Sequence, residues 1–110
     1  MNTVSIDLQN MTVQNITVQG VAVSEDTLTI EISDGRSLQV PLAWYPRLYY
    51  GKPEERNKWR LIGHGVGIHW PDLDEDLSLE GLLLGKKSNE SQSSLARWLE
   101  KRMVLQPVTD

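Results

Sequence analysis

Both histidines, three closely spaced glycines and the densest acidic run of the chain fall within Gly63–Gly81, GHGVGIHWPDLDEDLSLEG. Three kinds of chemistry could be built from it. Asp72, Asp74, Asp76 and Ser78 match positions 1, 3, 5 and 7 of a calcium-binding EF-hand loop. That loop also needs glycine at position 6 for its sharp turn and a bidentate Glu at position 12. Leu77 and Leu83 stand there instead, so the run cannot bend around or close on the ion. His64 and His69, with Asp72 as a third ligand, suggest a transition metal. Five residues apart on a tight hairpin, however, the two imidazoles point to different sides, and no HExxH-type spacing supports them. Gly63, Gly65 and Gly67 superficially resemble a phosphate loop. Ile68 stands where a dinucleotide-binding fingerprint needs its third glycine, a strand follows where a helix is required, and no P-loop lysine is present. No metal and no cofactor is expected.

Nucleophilic catalysis finds equally little. The chain has no Cys, hence no thiolate nucleophile, no disulfide framework and no cysteine-based metal site. No serine sits in a GxSxG elbow. The clustered carboxylates lie in a polar segment where they behave as ordinary acids. No catalytic residue can be assigned, and the chain does not read as an enzyme.

The elements that must position this stretch follow from periodicity. At 110 residues the chain is one domain, large enough to bury a core without staples. Residues 1–17 are polar with Val4, Ile6 and Leu8 in alternation, and read as an added edge strand or a flexible segment. From Ile16 to Leu42 three antiparallel strands form a meander with one apolar face. Leu28, Ile30 and Ile32 alternate with Thr27, Thr29 and Glu31. Asp34-Gly35 predicts a type I′ turn, and Leu38, Val40 and Leu42 return. Gly20 marks a bulge or a close backbone approach. Pro41 and Pro46 end the sheet pattern. Pro53–Lys58 reads as a short helix, with Pro53 and two glutamates in its first turn. Trp59–Ile62 and Val66–Trp70 form a hairpin that Pro71 stops, with His69 on the outer face. Ser78 or Asp76 caps a short helix through Leu84, the acidic run charging its start. Residues 86–110 are a linker and a helix over Ser91–Val104, with a tail from Pro107. The fold class is therefore α+β: a small antiparallel meander plus a hairpin, short helices and one C-terminal helix, with residues 18–85 as the core domain.

The net charge of −4 disfavours non-specific nucleic-acid binding, which needs clustered Lys and Arg. The charge is uneven: Pro71–Leu84 holds only acids, while Arg36, Arg47, Lys52, Arg56, Lys58 and Arg60 fall in the middle. MNTVSIDLQN lacks a basic region followed by an apolar run, so no signal peptide is expected. No run reaches membrane-spanning length. Together with the absence of Cys, which fits the cytosol, these features lead us to expect a cytoplasmic protein.

Leu42–Tyr50, LAWYPRLYY, concentrates the aromatics. Trp44, Tyr45, Arg47, Tyr49 and Tyr50 have the composition of a protein-interface hot spot, stiffened by the two prolines. About half of such residues are expected to pack as core. On an extended chain adjacent tyrosines face opposite ways, so at least one of Tyr49 and Tyr50 should be exposed. Alanine at Arg47 and at the exposed tyrosine should then spare stability. The competing interface is the apolar face of Ser91–Val104, which could pair with a second copy in a homodimer.

The SDGR turn, PLAWYPRL and NKWRLIGHGVGIHWPDLDEDLSLEGLL together resemble the small bacterial family known as domain of unknown function 2442, over about Val18–Gly85. The resemblance implies an α+β fold and carries no catalytic residues. Some members of that family look like the antitoxin half of a toxin–antitoxin pair, and others carry a following helix-turn-helix domain. Only about one helix follows Gly85 here. Three classes of function remain open at this level. They are a protein-interaction module that acts as an antitoxin-like partner of a small toxin, a nucleic-acid-binding regulator using the basic middle with Arg97, Lys101 and Arg102, and a small enzyme.

Overall fold

A computed structural model describes residues 16–105 as two three-stranded antiparallel sheets joined by short helices, with a longer helix after them. The first sheet has order β1-β2-β3, with β1 Val18–Val23, β2 Thr27–Ile32 and β3 Ser37–Pro41. Leu28, Ile30 and Ile32 are buried, as their alternation requires. The register slips between Val18 and Gly20, placing a bulge there.

The β2–β3 turn is not the two-residue type I′ turn expected at Asp34-Gly35. Gly35 donates to the Ile32 carbonyl at 3.0 Å and Ile32 donates to the Arg36 carbonyl at 2.9 Å. The loop therefore has three residues, Ser33, Asp34 and Gly35. Only Gly35, at φ +97°, occupies the left-handed region. This is a type I turn closed by a glycine bulge.

LAWYPRLYY coils, where the sequence suggested an extended segment. A 3-10 turn over Leu42–Trp44 leads into α1, Pro46–Tyr49, with Pro46 in the first turn. α2 is Pro53–Arg56, and the Glu55 carboxylate accepts from the backbone N–H of Lys52 at 2.8 Å. Arg56 fastens the two helices by donating through Nε to the Leu48 carbonyl at 2.8 Å. Trp70, fully buried, donates its indole N–H to the Arg56 carbonyl at 2.9 Å.

The second sheet has order β4-β5-β6, with β4 Arg60–Ile62, β5 Gly67–Trp70 and β6 Glu75–Ser78. β6 corrects the reading of the acidic run as the start of a helix. Pro71–Asp74 makes a tight turn, Asp74 adopts φ +51°, and Glu75–Ser78 pairs back onto β5. Ser78 still caps the helix that follows, α3 (Leu79–Leu83), by accepting from the Gly81 N–H at 2.9 Å. Val66 is also displaced from the expected strand. Gly63, His64 and Gly65 all have positive φ, so the turn extends through Val66 and leaves it exposed rather than aligned with Ile68 and Trp70.

One apolar cluster unites the pieces. It joins Val18, Leu28, Ile30 and Val40 of the first sheet to Ile68, Trp70 and Leu73, to Leu42, Tyr45 and Leu48, and to Leu79 and Leu82 of α3. Gly51 sits against Leu73. A Cβ added there would lie 2.9 Å from Leu73 Cδ1 and 3.2 Å from the Arg47 carbonyl oxygen. Gly51→Ala is therefore expected to cost about 1–3 kcal/mol by overpacking, read as a lower denaturant midpoint at unchanged slope.

Candidate partner-binding surface

The five aromatic and basic residues singled out at 44–50 separate into two groups. Tyr45 belongs to the core at 2 % exposure, and its phenol donates to the Lys86 carbonyl at 2.6 Å. Burial, then the nearby Glu75 charge, raises its pKa. Trp44 is half-buried. Its carbonyl accepts from Ser88 N–H at 3.1 Å, and the Lys87 ammonium lies 5.0 Å from its ring centroid. These two residues strap residues 86–88 onto the body.

Arg47 continues the strap. Its Nη2 donates to Glu90 Oε2 at 2.6 Å and its Nη1 reaches Asp74 Oδ2 at 3.4 Å. Its guanidinium lies 5.1 Å from the Trp98 ring centroid. Trp98 is on α4, Gln92–Leu105, whose first turn is capped by Ser91 Oγ accepting from Ser94 N–H at 3.1 Å. Arg102 also lies over the indole, 4.6 Å from the centroid. Arg102 also makes a two-pronged bond to Glu55 at 2.8 and 3.1 Å. Trp98 thus carries two guanidiniums against its ring, each neutralised by its own glutamate. Bonding to Arg102 lowers the Glu55 pKa, and bonding to Arg47 lowers that of Glu90, to which Ser94 also donates. Arg47 is therefore a structural fastener, and the expectation that its removal spares stability does not suit this geometry.

Tyr49 and Tyr50 form the second group. They are 45 % and 52 % exposed, so both rings meet solvent. The rings make an edge-to-face pair with centroids 5.3 Å apart at 83°. They close α1, whose backbone is fixed beneath them: Tyr49 N–H donates to the Tyr45 carbonyl and Tyr50 N–H to that of Pro46. On α4, Trp98 packs on the core with Leu95 and Leu99 half-buried beside it, while Arg97, Lys101 and Met103 are exposed.

The acidic run is dispersed. Lys58 Nζ lies 3.3 Å from Asp72, Asp74 meets Arg47, and Asp76 pairs with His69 opposite it on β5. Among the described residues no group of three or more His, Cys, Asp or Glu is placed to hold a metal ion. Glu75, which sequence reasoning passed over, lines a cleft of about 230 Å³ with Tyr45, Lys86 and Lys87. Burial pushes its carboxyl up to about 7. Arg47 opposes that shift, while Glu90, Asp76 and Asp74 add to it. Glu90, in a polar linker, gave no signal by residue type or spacing.

A family model described as protein of unknown function (DUF2442) matches residues 18–88. No curated protein matches the chain. A crystal structure of a protein of unknown function from Rhodospirillum rubrum superposes with a TM-score of 0.61 at 22 % identity, covering 72 % of this chain and 98 % of its own. The solution NMR structure of an uncharacterised protein from Chromobacterium violaceum gives a TM-score of 0.61 at 20 % identity, covering 96 % of this chain and 94 % of its own. Both share the fold. Among the described residues no helix is long and apolar enough to cross a membrane.

Proposed function

This chain belongs to the family described as protein of unknown function (DUF2442), and on that premise we propose that it works as a protein-interaction module. The partner in this reading is a small toxin-like protein in the cytoplasm, which the module would occlude as an antitoxin does. The observation that carries the reading is the exposed pair Tyr49–Tyr50 on a helical turn whose backbone is already fixed. Tyrosine offers large contact area with a polar handle, and a preformed turn loses little entropy when a partner seats on it. Trp44, Tyr45 and Arg47 contribute by holding that turn and the C-terminal helix in place, with Tyr45 itself inside the core.

The test uses the product of the adjacent reading frame as probe. Tyr49→Ala/Tyr50→Ala should shift the melting temperature by no more than about 5 °C, since two surface substitutions of up to about 0.5 kcal/mol each amount to about 1 kcal/mol. Binding should weaken by roughly 2 kcal/mol or more. Undiminished binding would place the interface elsewhere. A mobility shift of DNA or RNA that fades with salt would instead favour a nucleic-acid regulator working through Arg97 and Lys101.

A further inference from the structure

The second sheet and α3 enclose an apolar groove of about 340 Å³, lined by Ile16, Val66, Leu79, Leu83 and Leu84, with Glu80 as its charged member. Val66 is 53 % exposed, Leu83 37 % and Leu84 64 %, whereas Leu79 forms a buried floor at 3 %. A domain of this size gains by covering such a strip of aliphatic surface. With a single carboxylate among its walls the groove suits an apolar occupant, not a charged one.

The described chain begins at Ile16, which is itself a wall of the groove. Beyond it the path is fixed: Thr17 N–H donates to Ser33 Oγ at 2.9 Å, Ser33 N–H donates to the Thr17 carbonyl at 2.9 Å, and Val18 opens β1. The fifteen preceding residues, MNTVSIDLQNMTVQN, carry Val4, Ile6 and Leu8 at strand spacing with Thr3, Ser5, Asp7 and Gln9 between them. In an extended conformation that pattern would put the three aliphatic residues on one face and the polar residues on the other. Leu8 stands eight positions before Ile16. At about 3.3 Å per extended residue it has roughly 26 Å of reach, enough to fold back over a groove that starts at Ile16. Tethering so close also gives the segment a high effective concentration there.

We propose that the groove between Val66 and Leu84 is the seat of this chain's own segment Val4–Leu8, which covers it through Val4, Ile6 and Leu8. The groove lies outside the Tyr49–Tyr50 pair, so the proposal stands or falls apart from the partner-binding reading.

The absence of cysteine makes a site-specific spin label simple to introduce. Leu84→Cys, at an exposed wall position, would carry a nitroxide on isotope-labelled full-length chain. Amide signals of Val4–Leu8 should be broadened severalfold more than those of β2 and β3, and reduction of the nitroxide should restore them. Adding Ile6→Asp should abolish the broadening while the β2 and β3 signals stay in place. Unbroadened Val4–Leu8 signals in the labelled chain would overturn the proposal. So would broadening that appears only when spin-labelled and isotope-labelled chains are mixed, because a second copy would then be the occupant.

Discussion

Trp98→Ala should detach α4 from the body and lower stability by about 2–4 kcal/mol. The indole is partly buried against the core cluster, and the Arg47 and Arg102 guanidiniums lie 5.1 and 4.6 Å from its ring centroid. Loss of a well-buried tryptophan costs about 3–5 kcal/mol, and Trp98 is only partly covered. Each cation–π contact contributes about 0.5–2 kcal/mol depending on desolvation. The effect should be localised. Amide exchange across residues 92–102 should accelerate strongly, whereas β2 and β3, whose ladders do not depend on the helix, should retain protection. Arg47→Lys tests the same seam from the other side. Lysine keeps the charge but not the flat fork that bonds Glu90 and stacks on the indole, so it should recover less than half of the loss seen in Arg47→Ala. Unchanged exchange in α4 after Trp98→Ala would show that another contact docks the helix.

Stability should peak on the acid side of neutrality, and Glu75→Gln should remove much of its decline above that peak. The raised Glu75 carboxyl, at about 7 against an ordinary 4.5, binds its proton more tightly when folded. Its contribution is therefore fully present below about 4.5 and is lost as pH rises to about 7. Glu55 and Glu90 act in the opposite sense. Their folded pKa values are lowered by Arg102 and Arg47, so their stabilisation is present above the ordinary carboxylate range and is lost as pH falls through it. The maximum then falls near pH 5. The full Glu75 shift corresponds to roughly 3 kcal/mol, and contact with water at the cleft reduces this to about 1–2 kcal/mol. Glutamine keeps the shape without the charge, so the variant should exceed the wild type by about that amount at pH 8 and match it near pH 5. Equal denaturant midpoints for the two proteins at pH 8 would sink this account. Arg47→Ala should steepen the decline, because Arg47 alone opposes the rise at Glu75.

Local pattern settled much of the fold. Leu28, Ile30 and Ile32 declared a half-buried strand because side chains on a strand alternate strictly, and all three are buried. Pro53 with Glu54 and Glu55 marked a helix start, and Ser91 marked that of the C-terminal helix, because these residue types satisfy or favour the free N–H groups of a first turn. The family resemblance was also legible in continuous strings such as GIHWPDLDEDLS.

What sequence could not determine was every choice made by a partner distant in the chain. Glu75–Ser78 is short and polar on its face and became a strand because β5 offered it a free edge to pair with. Propensity in four residues is too weak to decide that. LAWYPRLYY coiled, so which aromatics are buried was set by helical geometry and by residues 86–98 lying over them. Tyr45 found the Lys86 carbonyl, and Arg47 found Glu90 forty-three residues away. Val66 was expected to align with Ile68 and Trp70, but the left-handed turn at Gly63–Gly65 leaves it exposed. Periodicity specifies which face of an element is apolar. Which groups meet across elements, and which charges are desolvated as Glu75 is, depends on distances that only the packed chain brings into being.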